Sequence, residues 1–243
     1  MSDRLLPGPM IEKAAVWCGP LFLVLYLAAF VGVAEFVPPP APSLSADEVS
    51  ALFEADRMRI RAGMVLSLVF STFLFPFFAV ISVHIARIEG GRPILALVQF
   101  GGATLLVVYF QLCSMLWIVA TFRADLGAES VRMLSDFGWL AFVMVFPAYV
   151  FQLGCVAAAA LIDRSPDPVW PRWAGYLNLW IAVSGAGGGL AVFFKAGPFA
   201  WNGIVGFYLP VVAFVIWLGV MTHLMLRHAA RRTSAVQLVT EAV

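Results

Sequence analysis

Six stretches of the chain are apolar from end to end, and short polar segments separate them. They run over approximately 14–34, 62–86, 93–121, 137–162, 173–194 and 203–226, and none contains Asp, Glu, Lys or Arg. About 20 apolar residues wound as a helix cross a hydrocarbon layer of about 30 Å. In lipid only helices and closed barrels pair every backbone group, and these runs lack the alternation of barrel strands. The pattern therefore predicts an all-α, polytopic transmembrane bundle of six spans forming one domain, 1–243.

Composition agrees with the pattern. The chain is 62% hydrophobic and 12% charged, with a mean hydropathy of +0.94; soluble domains are about half apolar and about a quarter charged. The first run follows Arg4 and Lys13 as a signal peptide would, but its apolar core is too long for one and reads as a span. Cys18, Cys113 and Cys155 fall inside spans at different depths, which supplies neither a disulfide framework nor metal-ligand spacing.

Charge sets an expected orientation. With the N-terminus in the cytoplasm, nine of the 15 Lys and Arg lie inside: Arg4, Lys13, Arg87, Arg92, Arg164, Arg172, Arg227, Arg231 and Arg232. The positive-inside rule then places both termini in the cytoplasm, against the pull of Arg57, Arg59 and Arg61 on the outer side.

The outer loops hold most of the organised polar sequence. Residues 45–60 predict an amphipathic helix, opened by a capping box of Ser45 and Glu48 and carrying Val49, Leu52, Phe53 and Ile60 at helical spacing. A second amphipathic helix is expected at 128–136. AESVRMLSDF at 128–137 can be laid on ADEVSALFEA at 46–55, which suits a three-hairpin internal repeat or a chance likeness of two acidic helices. The second, fourth and sixth spans carry Pro76, Pro147 and Pro210, the last two each seventeen residues before an arginine. A proline inside a helix removes a backbone hydrogen bond and kinks it. Three kinked return helices could enclose a cavity, or the prolines could shape packing alone.

Span 5 contains SGAGGGLA, in which Gly185, Gly188 and Gly189 give a small face for close helix packing. Without a GxxxxGK[ST] arrangement the run does not suggest nucleotide binding. Polar groups inside spans are Gln99, Gln111, Gln152, Asn178 and hydroxyls such as Ser67, Ser71, Thr72, Ser114 and Ser184. Such groups usually join helices, at about 0.6 kcal/mol per hydrogen bond. Gln152, near the middle of its span, is the best placed to meet a polar group on a buried ligand, with Asn178 beside it as a further candidate.

His84 and His223 each precede an arginine by three or four residues and could share one depth. At that interfacial height a histidine can reach water, and no second ligand motif accompanies either, so no metal or haem is expected and no cofactor is called for. The spans contain no carboxylate of the kind that marks proton relays. Motifs for a metalloprotease, for magnesium-diphosphate chemistry and for a serine–histidine nucleophile are also missing. Any chemistry is thereby expected at a membrane surface.

On the outer side the candidates are Asp56, Arg61, Asp136, Lys195, Trp201 and Asn202. Lys195 ends the fifth span, where its ammonium can snorkel into headgroups, and Trp201 suits an aromatic belt. Together with Asn202 they could recognise a headgroup. At the opposite corner, Trp170, Trp173 and Tyr176 flank Arg172 as an interfacial anchor.

RIRAGMVLS, HIARIEG, VWPRWAGYLNLW and FFKAGPFAWNG, spread over most of the chain, resemble a group of small six-span bacterial integral membrane proteins. That resemblance implies the span count and a bacterial inner membrane, and it brings no catalytic residue.

The expectation is a non-catalytic bundle that binds or moves a lipophilic molecule, or supports a membrane complex, with membrane lipids and other membrane subunits as partners. The alternative is an enzyme acting on a lipid, isoprenoid or sterol-like substrate at the outer surface, with Asp56 or Asp136 as acid/base and Arg61 or Lys195 holding a polar head. Nucleic-acid binding is not expected, because the basic residues are few and tied to helix ends.

Overall fold

The computed structural model describes residues 9–241, with side chains described for 10–232; Arg4, counted in the orientation argument, lies outside them. Among the described residues there is no strand, and six helices are long and apolar enough to cross a membrane. These run Met10–Val33, Arg57–Glu89, Ile94–Phe122, Ala128–Ile162, Arg172–Phe193 and Ile204–Arg232. Several outrun the charge-free stretches, because a helix satisfies its own backbone and carries charged flanks such as Glu12, Arg57 and Arg232 along with it.

The first span is α1 (Pro9–Leu27) extended by a π-helical turn, Ala28–Val33. A surface helix α2 (Ala46–Ala55) follows, then α3 (Arg57–Ser71) and α4 (Leu74–Glu89) as two halves of the second span. The third span is α5 (Ile94–Phe122), and the fourth is α6 (Ala128–Met144) with α7 (Phe146–Ile162). The fifth is α8 (Arg172–Ala186) narrowing to a 3-10 helix, Gly187–Phe193. The sixth opens as a π-helix, Ile204–Tyr208, and continues as α9 (Leu209–Glu241).

Consecutive spans pack side by side, and α9 returns to α1, so the six spans close into a ring. One half of the ring is filled by contacts across it, where α4 reaches α7 and where Phe77, Phe78 and Trp217 are fully buried. The start of α1 and the end of the sixth span belong to this half, called here the terminal side. The other half, the far side, is where helical geometry becomes irregular.

Three of these irregularities precede prolines. The second span breaks between Ser71 and Leu74, ahead of Pro76. The fourth breaks at Val145, ahead of Pro147, and the sixth is π-helical up to Tyr208, ahead of Pro210. Proline has no N–H for the carbonyl four residues back, so Pro147 deprives Val143 of its helical donor. Gly188 of the fifth span lies against that carbonyl so closely that any Cβ would overlap it.

The capping box at α2 forms. The Ser45 N–H and hydroxyl donate to Glu48 Oε2 at 2.8 and 2.7 Å, while the Glu48 N–H donates back to Ser45 Oγ at 3.3 Å. Those bonds, the backbone one first, hold the Glu48 carboxyl below its usual range. The second amphipathic segment is not a separate helix: residues 128–136 are the opening turns of α6, because nothing between Asp136 and Trp139 interrupts the backbone ladder. The two acidic segments compared in the sequence lie against each other, α2 packing on α6 with Val49, Phe53 and Val131 buried.

Candidate functional site

The ring is not filled on its far side. A cavity of about 220 Å³ lies there, bounded by the first, third, fourth, fifth and sixth spans. Its wall is aromatic. Phe22, Tyr26 and Phe30 recur every fourth residue along the first span and so share one helical face. Phe110 of α5 meets Tyr26 at 5.2 Å between ring centroids, Phe142 of α6 meets Phe207 at 6.0 Å, and Tyr149 of α7 meets Phe214 of α9 at 6.3 Å. Irregular backbone borders the cavity: the π turns of the first and sixth spans and the break at Val145 all contribute lining residues. In a membrane, non-α backbone is tolerated where it lines a cavity or is buried in protein.

Three residues of this wall, Tyr26, Tyr149 and Tyr208, carry a hydroxyl. Tyr26 and Tyr149 line the cavity, and their hydroxyls are buried with no hydrogen-bond partner among the described residues. Leaving such a group unpaired costs about 1–3 kcal/mol, so a buried hydroxyl ordinarily finds water, protein or ligand. The cavity is also reached from outside the bundle. Leu27, Val31 and Tyr208 belong to its lining and are 38%, 37% and 36% exposed, on the flank between the first and sixth spans.

Glycines set the fit of the fifth span against this wall. A Cβ at Gly185 would lie 2.5 Å from the Tyr149 ring, and one at Gly189 would lie 2.5 Å from the Phe146 ring. With Gly188 against the Val143 carbonyl, the small face of span 5 is spent on the broken middle of span 4.

The two amides lie elsewhere. Gln152 is fully buried and accepts from Gln99 Nε2 at 3.4 Å, and Gln99 Oε1 in turn accepts from the Ser82 hydroxyl. Asn178, also fully buried, donates to the Ala174 carbonyl at 2.8 Å and accepts from Trp217 Nε1 at 2.8 Å. Neither amide lines the aromatic cavity.

The far-side candidates do not converge on one point. Arg61 caps the third span: its guanidinium donates to the carbonyls of Thr121 and Phe122 and, at 3.3 Å, to the Thr121 hydroxyl. Asp56, between α2 and α3, pairs with Arg59 at 3.2 Å, and Arg59 also pairs with Glu35. Asp136 lies in a shallow surface depression with Arg132, within electrostatic reach of the exposed Lys195. Trp201 is not a belt residue. It is 7% exposed, and its Nε1 donates to the Pro40 carbonyl at 2.9 Å, tying the last far-side loop to the first. Asn202 beside it is half-buried.

The terminal side departs furthest from the sequence reading. Glu12 is a buried carboxylate within the first span, 1% exposed, with Oε1 3.2 Å from His84 Nε2 and Oε2 3.4 Å from Arg232 Nη1. His84 faces His228, not His223: the rings of His84 and His228 meet edge to face at 5.7 Å, and His223 points out of the bundle. Trp170 is likewise fully buried, 5.8 Å from the His84 ring, while Trp173 and Tyr176 are exposed as an anchor requires. Two signals in the sequence lead to these residues. The buried stripe Trp217, Met221, Leu224 continues at helical spacing to His228 and passes His223 by, and Phe22, Tyr26 and Phe30 repeat every four residues.

Among the described residues, no group of three His, Cys, Asp or Glu side chains is placed to hold a metal ion. Compared with known proteins, the chain matches no family model, no curated protein and no solved structure, so its chemistry is read from this geometry.

Proposed function

We propose that this protein binds a lipophilic molecule from the membrane in the aromatic cavity on its far side and helps to move or present it, without catalysing a reaction on it. The observation that carries this reading is an aromatic, largely apolar cavity reached from the bundle flank, whose lining includes two tyrosines, Tyr26 and Tyr149, with unpartnered hydroxyls. An apolar wall with a small number of placed polar groups is the usual make-up of a small-molecule site. At about 220 Å³ the space is below the ~300–1,000 Å³ of drug-sized pockets. It suits a chain segment or a small ring system whose remainder stays in lipid and whose one hydroxyl, carbonyl or ether meets the tyrosines.

The excess of Lys and Arg on the terminal side supports an orientation with both termini in the cytoplasm, and the resemblance noted in the sequence supports a bacterial inner membrane. The cavity then lies in the outer half of the bilayer. The enzymatic alternative is weakened by the occupations of its residues, since Arg61 is engaged with helix carbonyls and Asp56 with Arg59.

Gentle extraction into nanodiscs followed by mass spectrometry of the retained lipids tests the reading. A lipophile enriched over the bulk bilayer is expected, with less retained by a Tyr26→Phe/Tyr149→Phe protein. Recovery of bulk lipid alone, in the same proportions from both proteins, would overturn it.

A further inference from the structure

A second cavity, of about 330 Å³, opens on the terminal side and is lined by His84 and Arg87 of α4, by Asp163, Arg164 and Asp167 of the α7–α8 connection, and by His228 of α9. Its character is opposite to that of the far-side cavity. Both histidines are almost wholly buried, 0% and 2% exposed, and Nδ1 of His84 and both ring nitrogens of His228 lack a hydrogen-bond partner among the described residues.

The charges around it are unequally committed. Asp167 pairs with Arg231 at 2.8 Å and places Oδ2 3.7 Å from His228 Nδ1, and Asp163 accepts from the Ser165 N–H at 2.9 Å. Glu12, behind His84, is shared between His84 and Arg232. Arg87 and Arg164, by contrast, form no ion pair among the described residues. Two guanidiniums without an ion pair and two buried imidazoles thus surround one space, with Glu12 and Asp167 ion-paired and Asp163 left as the one lining carboxylate without a basic partner among the described residues. Guanidinium presents paired donors that match the oxygens of phosphate or carboxylate, and imidazole can donate to the same oxygens. With no third metal-ligating side chain in place, the histidine pair suits an anion better than a metal.

We propose that this cavity binds a phosphate-type anion, held by Arg87 and Arg164 at its mouth and by His84 and His228 at its floor. The source is either a phospholipid headgroup or a free phosphate or phosphate ester, since both present the same oxygens. The site is independent of the far-side cavity and stands or falls separately from it.

Thermal unfolding of the purified full chain tests it in two arms: titration with inorganic phosphate in neutral detergent, with chloride matched for ionic strength, and nanodiscs of phosphatidylcholine with or without phosphatidylglycerol. A saturable rise in midpoint with inorganic phosphate identifies a free anion. A rise confined to the phosphatidylglycerol discs identifies a headgroup. In either case Arg87→Gln/Arg164→Gln should weaken the apparent affinity by about tenfold or more, as expected for lost charge-assisted contacts. Arg164 is exposed, so Arg164→Gln alone gives a folded control in which a smaller weakening is expected. No saturable rise in either arm, or an equal rise in the variants, would overturn the proposal.

Discussion

The Glu12 carboxylate lies 3.2 Å from Nε2 of His84, and the two side chains are 1% and 0% exposed. This contact joins α1 to α4, and Arg232, 3.4 Å from the second carboxylate oxygen, adds α9. Three spans are therefore clipped together on the terminal side. On the far side the same first and sixth spans turn π-helical and supply the exposed lining of the aromatic cavity. The ring is held at one end and yields at the other, which suits a protein that admits a molecule between two of its spans.

Removing the clip tests its weight. Breaking a wholly buried pair costs about 3–5 kcal/mol because a charge is stranded. Here Arg232 is 32% exposed and can turn toward water, so Glu12→Ala should cost roughly 1–3 kcal/mol, the scale of a lost charged hydrogen bond. Glu12→Gln keeps a hydrogen-bonding side chain and should cost less. Thermal unfolding in detergent measures both, and a Glu12→Ala protein that melts with the parent would mean that the clip adds nothing.

The glycines of the fifth span should rank by what their Cβ would strike. Gly188→Ala meets the Val143 backbone carbonyl, which cannot move aside, so it should reach or exceed the ~1–3 kcal/mol typical of overpacking. Gly185→Ala and Gly189→Ala meet the rings of Tyr149 and Phe146, which can rotate, and should cost less. At Gly154 of α7 nothing lies within 4 Å, and Gly154→Ala should be neutral or add up to ~1 kcal/mol from helix propensity. Unfolding midpoints of the four proteins decide the order, and a neutral Gly188→Ala would contradict the close approach of spans 4 and 5.

How much of this was legible in the sequence follows from the range of each signal. The six spans were readable because each is a local, charge-free run. Their ends were not, because the reading stopped at the first charge while the helices did not. Glu12 escapes the sequence for that reason: the charge-free run begins at residue 14, two positions after the carboxylate. Its partner His84 is distant in the chain, and nothing local shows which face of α1 meets α4. His228 escapes similarly, since the charge-free sixth run ends at 226 and the histidine inside it is His223, five residues and about 140° around the helix from His228. Trp201 looked like a belt residue because an aromatic beside Pro and Gly at a span end usually is one. Only the fold shows its Nε1 meeting Pro40 from another loop. The prolines did mark real irregularities, but that those of spans 4 and 6 border the aromatic cavity, and that of span 2 does not, depends on how the spans pack together.

Arg61 should prove structural before it proves functional. Its guanidinium satisfies carbonyls at the C-terminus of α5, where the helix leaves acceptors without intrahelical donors and where the macrodipole favours positive charge. Arg61→Ala should destabilise the protein by roughly 1–3 kcal/mol, and Arg61→Lys should recover only part, because one ammonium cannot reproduce the spread of guanidinium donors. Hydrogen exchange at the end of α5 gives a local readout. Full protection in Arg61→Ala would show that the cap is dispensable.

Tyr26 offers a prediction in which stability and ligand retention move in opposite directions. Its hydroxyl has no partner among the described residues, so in protein stripped of lipophile that group is buried at a cost. Tyr26→Phe removes the cost and fills the same space, and the stripped protein should be as stable as the parent or more stable by about 1 kcal/mol. In protein carrying its lipophile the hydroxyl is satisfied, and the same substitution removes a bond, so the midpoint should fall and less of the molecule should be retained. Tyr149→Phe should behave alike, because Tyr149 lines the same cavity and its hydroxyl has no partner among the described residues. A packing role alone gives one direction in both preparations, since the phenyl ring is unchanged by either substitution. Midpoints measured before and after delipidation therefore separate a binding hydroxyl from a buried one, and a shift of the same sign in both would remove the tyrosines from the site.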